Sequence, residues 1–342
     1  WISERKDLLC TFFTLASVLA YCSYAGNRGR GASSAGEKRS YLFSLILFAL
    51  ALMSKPMAVT LPVVLLILDW HPLGRMESAA GVQSALREKW PFFLASMASS
   101  ALTIAAQQGS GALVFLADAS LSERIVTALN AYGGYLRGIV LPLQLLPFYP
   151  YLKPGELLAP LNLAYAASSA GMILFPFFFE KRSRTIRAAA AFYIITLLPV
   201  AGFVQAGGQA MADRYVYLAS LAPFLLIAAG FASVTDIDSA RGGIKVLRPL
   251  TYAAGVAALA LLCLLTVKQI GVWKNSSTLW NYVIHSIMPD EHRYRTSHVA
   301  YANRGRMYLE QGNLEAALRD SDRAIELNSS SYAAYQNRSL IL

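Results

Sequence analysis

Strongly apolar, uncharged runs alternate with short basic segments along most of the chain. The runs are Leu8–Tyr24, Tyr41–Leu68 (interrupted by Lys55 alone), Pro91–Gln107, Leu161–Phe179, Ala188–Gln205, Tyr215–Val234 and Pro249–Val267. Most reach the roughly 17–20 residues that carry a helix across a ~30 Å hydrocarbon core. The pattern predicts an all-α fold whose larger part is a polytopic helical membrane domain in contact with the lipid bilayer.

The basic segments orient these spans. Gly26–Ser40 carries Arg28, Arg30, Lys38 and Arg39; His71–Trp90 carries Arg75, Arg87 and Lys89; Glu180–Arg187 and Thr235–Arg248 are similarly basic. Lys and Arg accumulate on the cytoplasmic side of membrane proteins, so all four segments are expected there. One helix from Tyr41 to Trp70 would place the first two on opposite faces, and at ~45 Å would overshoot the core. A break at Lys55-Pro56 returns both to one face, and proline, which lacks a backbone donor and clashes with the preceding turn, is suited to make it. Lys55 then lies at the trans-side (periplasmic or lumenal) turn of a short helical hairpin. Carried onward, this layout gives about eight spans and a long trans region, Gln108–Pro160, in which Arg124–Tyr151 reads as an in-plane or re-entrant helix; a true span there is the alternative and would reverse the sides assigned downstream. Everything after about Lys268 is expected to be trans.

Composition agrees with a membrane protein: 56% of the 342 residues are hydrophobic and 15% charged, against about 25% charged in soluble domains. The net charge of +10 sits largely in the orienting loops and comes without zinc-finger or basic-zipper spacing, so no nucleic-acid partner is expected. Cys10, Cys22 and Cys263 lie in apolar runs and form no disulfide framework. The four histidines lack metal-ligand spacing, and no metal is expected.

The C-terminal part has a different pattern. "AYANRG" (Ala300–Gly305) recurs as "AYQNRS" (Ala334–Ser339), 34 residues later, the period of the tetratricopeptide repeat (TPR), a helix-turn-helix unit that stacks into an α-solenoid. Gly305, Tyr308, Gly312, Ala317 and Ala324 fall at its small and aromatic packing positions, while Ser321 and Ser329 replace a usual aromatic and proline. The expected organisation is a transmembrane domain over 1–270, a linker over 271–297, and one full repeat with the start of a second over 298–342, with further repeats expected after Leu342. Such arrays offer a groove to an acceptor or partner protein. Asn303, Arg304, Asn337 and Arg338 are expected to cap and solvate the helices rather than to contact a ligand.

Ionisable side chains at membrane depth mark ion or substrate paths, or pair with one another. Lys55 is the first candidate, either as a compact charge for a lipid-linked phosphate or as a lysine reaching the headgroups. Arg214, with Tyr215 and Tyr217 beside it, is the second: a phosphate fork or an interfacial anchor, with Asp213 balancing its charge. Glu4, Arg5, Lys6 and Asp7 form a third polar cluster. Asp236 and Asp238 resemble a metal–nucleotide-sugar carboxylate pair but fall in a loop assigned to the cytoplasm, and Asn275-Ser276-Ser277 is a glycosylation sequon.

Taken together, "WISERKDLLCTFFTLASVLAY", "LMSKPMAVTLPVVLLILDWHPLGR" and "ADRYVYLASLAPFL", followed by a last span, "VWKNSSTLW" and the repeats, resemble the transmembrane and tetratricopeptide repeat-containing (TMTC) proteins and their bacterial relatives. That family is similar in architecture to GT-C glycosyltransferases. The resemblance implies transfer of a sugar, mannose in the eukaryotic members, from a polyprenyl-phosphate donor to a protein hydroxyl on the trans face. It implies donor-phosphate ligands at Lys55 and Arg214 with Tyr215, site-lining roles for Arg5, Lys6 and Asp7, and a catalytic acidic residue expected upstream of Trp1. The location implied is a bacterial inner membrane with periplasmic repeats, or an endoplasmic reticulum membrane with lumenal ones. A non-catalytic membrane-anchored TPR scaffold is the alternative, and a lipid-linked oligosaccharide ligase or polymerase a lesser one.

Overall fold

Helix α1 (Arg5–Gly29) lies against helix α2 (Ser34–Ser54) through two small residues. Ser17 Oγ donates to the Ser44 carbonyl and Ser44 Oγ to the Ser17 carbonyl, each at 2.8 Å, and both side chains are fully buried. Small hydroxyl residues let helix backbones approach closely in an apolar setting. The structure is a computed structural model that describes residues 5–29, 34–109, 120–178, 184–202, 209–240 and 247–342, and these are mostly helical. Trp1–Glu4, Arg30, Lys181, Arg182, Arg241 and Lys245 lie outside the described residues.

The chain breaks at Lys55, which is extended (φ −161°, ψ 133°). Pro56 then opens a 3₁₀ turn, Pro56–Thr60, that leads into α3 (Leu61–Trp70). Contacts at both ends show a reversal of direction. Asp7, early in α1, pairs with Lys55; Tyr21, late in α1, donates to Asp69, near the end of α3, at 2.9–3.0 Å. Helices α1 and α3 therefore run the same way and α2 the opposite way, as the hairpin reading requires.

His71–Trp90 is not all loop: α4 spans Ala79–Gly109 as one helix, with Pro91 inside it. Gly81 N–H is taken up by Ser78 Oγ at 3.1 Å, so a serine cap starts the helix well before the apolar run. Phe92 of α4 packs with Tyr21, Phe48, Leu61 and Leu65 in one core, joined by Phe192 and Ile195 of α7 (Arg184–Leu197). These elements belong to the first of two compact units, which comprises 1–118, 167–207 and 214–226; the second comprises 119–166, 208–213 and 227–342. The units interleave along the chain, whereas the sequence pattern divides it linearly.

In the second unit α5 (Leu121–Val140) is the helix expected within Arg124–Tyr151, and it opens on a capping box: Ser120 Oγ accepts from Glu123 N–H at 3.3 Å and Glu123 accepts from Ser120 N–H at 2.7 Å. After Val140 the chain is irregular until a two-stranded antiparallel pair, β1 (Tyr149–Pro150) with β2 (Gln209–Met211), in which Tyr149 faces Met211. Residues 151–156 are fastened to 293–296 by Lys153 N–H to Arg293 O (2.8 Å), Arg295 N–H to Tyr151 O (2.6 Å) and Arg293 Nε to Glu156 (2.9 Å). Helix α6 (Pro160–Phe178) starts in this unit, and α8 (Leu221–Ala240) ends in it. The C-terminal part of α8 contains Asp236 and Asp238, so these are helical rather than in a loop. Helix α9 (Leu247–Val272) is followed by α10 (Ser276–Ile287), whose cap is the sequon residue: Asn275 Oδ1 accepts from Thr278 N–H at 2.8 Å.

Among the described residues three helices are long and apolar enough to cross a membrane: Arg5–Arg28, Pro160–Phe178 and Pro249–Val272. Pro56–Trp70 and Leu221–Val234 are apolar but shorter.

The C-terminal residues form α11 (His298–Glu310), α12 (Leu314–Leu327) and α13 (Tyr332–Ser339). Gly305 marks the closest approach of α11 to α12: a Cβ there would lie 3.3 Å from the Ala317 carbonyl oxygen and from Asp320 Cβ. Ala300, Ala317, Ala324 and Ala334 are wholly buried, Tyr308 is half-buried, and Gly312 makes the connecting turn with φ +75°, a conformation costly for a residue with a side chain. Arg304 is held by Asp320 in a fork, Nε at 2.6 Å and Nη2 at 2.8 Å, and Asn337 donates to the Ala302 carbonyl at 2.8 Å. Both side chains serve the helical packing. A Gly305→Leu substitution is expected to cost about 1–3 kcal/mol by overpacking this crossing. Thermal unfolding of the full chain in detergent would show it as a lowered midpoint, and an unchanged midpoint would contradict the close approach.

Two titratable groups make this region acid-sensitive. Burial pushes the His298 pKa below its ordinary value, against a bond to the Arg295 backbone. Burial also pushes the Glu291 carboxyl up, but bonds from Tyr301 and Arg323 outweigh it and hold the carboxyl below the ordinary range. In both cases the unfolded chain binds the proton more readily, so stability rises with pH. The His298 contribution is complete above about pH 6.5 and fades as pH falls below it; that of Glu291 fades below about pH 4.5. Hydrogen exchange across residues 298–339 of the full chain should therefore quicken, after correction for intrinsic rates, between pH 7 and 5. His298→Gln should flatten the change over that interval; protection that grows on acidification would reverse the sign argued here.

Candidate functional site

Lys55 and Arg214, 159 positions apart in sequence, converge on one aromatic ring. Lys55 Nζ lies 4.8 Å and Arg214 Cζ 5.1 Å from the centre of Tyr215. Two elements place them. The break at Lys55 places its side chain at a helix end, beside the start of α1. Arg214 and Tyr215 sit in a 3₁₀ turn, Asp213–Val216, ahead of α8. Cations over tyrosine faces gain about 0.5–1 kcal/mol when exposed and more when desolvated; here Arg214 and Tyr215 are half-buried, and the Lys55 side chain is 12% exposed.

The Lys55 ammonium also pairs with Asp7, whose Oδ1 it meets, while Asp7 Oδ2 is buried without a hydrogen-bond partner. Cys10 Sγ approaches the Lys55 carbonyl at 3.7 Å. Of the polar cluster read near the N-terminus, Asp7 thus joins Lys55, whereas Arg5 and Lys6 are exposed. Asp213 accepts a hydrogen bond from the Tyr149 hydroxyl at 3.0 Å. Tyr149 itself is pushed above the ordinary phenol range by burial and then by that carboxylate. Chemically, a compact ammonium and a guanidinium beside an aromatic face suit a phosphate oxyanion attached to a sugar.

A second ionic cluster lies at the other end of α1, and sequence reasoning missed it. Asp69 and Lys89 are both fully buried and paired with each other. Arg75 bonds Asp69 at 2.9 Å and grips both oxygens of Glu88 at 2.8 Å; Arg28 reaches Glu88 at 2.5 Å, and Tyr21 joins the pair through its hydroxyl. Arg28, Arg75 and Lys89 are three of the seven basic residues read from the first two orienting segments. They converge on Glu88 and Asp69, so a buried network accounts for them as well as any membrane-surface role.

In the second unit a cavity of about 340 Å³ is lined by Asn130, Arg137, Tyr149, Tyr165, Arg293 and Tyr294 among others. Asn130 Oδ1 is buried there without a hydrogen-bond partner. Comparison with protein-family models, with curated proteins and with solved structures finds no match to this chain.

Proposed function

We propose that the chain is part of a multi-pass membrane glycosyltransferase of GT-C type that moves a sugar from a polyprenyl-phosphate donor to a protein hydroxyl on the trans side. The observation that carries the reading is the convergence of Lys55 and Arg214 on Tyr215. In this reading the two cations bind the donor phosphate and stabilise its charge as it leaves the anomeric carbon. The acceptor hydroxyl attacks that carbon and gives its proton to a carboxylate. Asp7 positions Lys55 through their ion pair, and Tyr215 offers a face to the sugar. Helices α11–α13 act as TPR units that present the acceptor or a partner protein. The layout of about eight spans, with Lys55 and the repeats on the trans side, belongs to the same proposal.

The test is transfer of labelled sugar from a polyprenyl-phosphate donor to a serine- and threonine-bearing peptide, using membranes that contain the full-length protein. Arg214→Ala is expected to abolish transfer while membrane insertion persists. Normal transfer by both Arg214→Ala and Lys55→Ala would overturn the site. A second reading, a non-catalytic membrane scaffold, draws on the Asp7 counter-charge already present at Lys55. It predicts no transfer by the wild-type protein.

A further inference from the structure

Three basic side chains from three separate elements of the second unit share one large open cavity. Arg137 comes from the last turn of α5, Lys268 from the C-terminal part of α9, and His285 from α10. The cavity, of about 820 Å³, is completed by aliphatic side chains that include Leu141, Leu143 and Leu265. Among the described residues no carboxylate lines it. The Asp213 carboxylate, which accepts from the Tyr149 hydroxyl, is not itself part of the lining, although its charge acts on Tyr282, which is.

Basic residues near helix C-termini are ordinary, because they oppose the negative end of the helix dipole. That accounts for Arg137 and Lys268 one at a time. It does not account for the two cations sharing one cavity, with the His285 imidazole beside them and no carboxylate among its described lining residues. Helix α9 is the most apolar of the three candidate spans, and no part of its apolar stretch is buried against protein. Lys268 lies within this candidate span, directly after its uncharged run Pro249–Val267. Leu141 and Leu143, on the α5 exit loop, are more than half exposed beside the bases. The loop is held in place: Gln269 Nε2 donates to the Leu145 carbonyl at 3.0 Å, and Gln144 takes a left-handed conformation with φ +54°.

We infer that this cavity binds an anionic phospholipid of the bilayer, with the phosphate headgroup on Arg137, Lys268 and His285 and the acyl chains along α9. A pocket with two cations and an imidazole in its lining selects a phosphate, and the leucines and the exposed apolar side chains of α9 select one that carries hydrocarbon. The site is separate from the residues assigned to sugar transfer and does not depend on that activity.

The test uses the full chain, purified in detergent and exchanged into nanodiscs of phosphatidylcholine with or without phosphatidylglycerol. Lipid retention is read by native mass spectrometry. Wild-type protein should retain phosphatidylglycerol in preference to phosphatidylcholine, and the Arg137→Gln/Lys268→Gln/His285→Gln variant should bind it about 30-fold more weakly. Arg306→Gln, which removes an exposed base elsewhere in the same unit, should leave retention unchanged, and circular dichroism should show equal helix content in all three proteins. Equal retention by wild type and the triple variant would overturn the site. Displacement of the lipid by millimolar inorganic phosphate would overturn its lipid character, because the anion alone would then suffice.

Discussion

Lys55→Met is expected to lower sugar transfer by about 10²–10³-fold, the loss seen when a donor to a developing anion is removed. Methionine keeps the unbranched stem and most of its volume, so the helix break and the surrounding packing persist. What disappears is the ammonium over Tyr215 and the partner of Asp7. A simple loss of activity would not separate a phosphate ligand from a structural counter-ion, because the single variant strands Asp7 in a half-buried position. The pair with Asp7→Asn does separate them. If Lys55 only neutralises Asp7, Lys55→Met/Asp7→Asn should recover transfer, since no charge is then left unpaired. If Lys55 holds the donor phosphate, the double variant stays inactive, and Lys55→Arg, which restores a cation with different geometry, recovers part of the rate. Recovery in the double variant would reduce Lys55 to a structural role.

The largest effect on stability is expected at the opposite end of α1. Lys89→Met should destabilise the first unit by about 3–5 kcal/mol, the usual result of removing one member of a buried ion pair. Asp69 would stay fully buried, with only the Arg75 and Tyr21 contacts to satisfy it. In a thermal melt of the detergent-solubilised protein this should appear as a drop in midpoint of about 10 °C. Lys89→Met/Asp69→Leu should recover much of the loss, because an apolar pair of similar volume can replace a buried ion pair without leaving a charge behind. A midpoint for Lys89→Met within about 2 °C of wild type would mean that solvent reaches the pair.

The two clusters were not equally legible. Lys55 stood out because a charge and a proline interrupted a run too long to be one span, and physical length alone demanded a break. Arg214 and Tyr215 stood out as a cation and an aromatic ring at the head of another run. Asp69 and Lys89 did not. Asp69 closes the run "VVLLILDW" and Lys89 precedes "WPFFLAS", so each resembles the charged flank of a span. Counting positive charges explains orientation but is blind to partners 20 residues away. An acid at the end of an apolar run, with a lysine near the head of the next, was the available signal. The start of α4 at Ala79 was hidden for a related reason: its first two turns are only weakly apolar, Arg87, Glu88 and Lys89 follow, and the apolar run begins only at Pro91. The start of α5 was written in the Ser120–Glu123 capping box, which periodicity alone does not detect. The convergence of Arg137, Lys268 and His285 had no local signature, because it depends on how three helix ends fold together.

The ties at both ends of α1 have a mechanical consequence. Asp7 is fastened to Lys55 at one end, and Tyr21, with Arg28 beyond it, is fastened to the Asp69–Glu88 network at the other. The helix between Asp7 and Tyr21 is about 21 Å long. It acts as a strut pinned twice, resisting both sliding and rotation against α2 and α3. Under the proposed function, an adjustment that admits or releases a donor at Tyr215 is expected from the 3₁₀ turn that carries Arg214, since Lys55 is tied to α1.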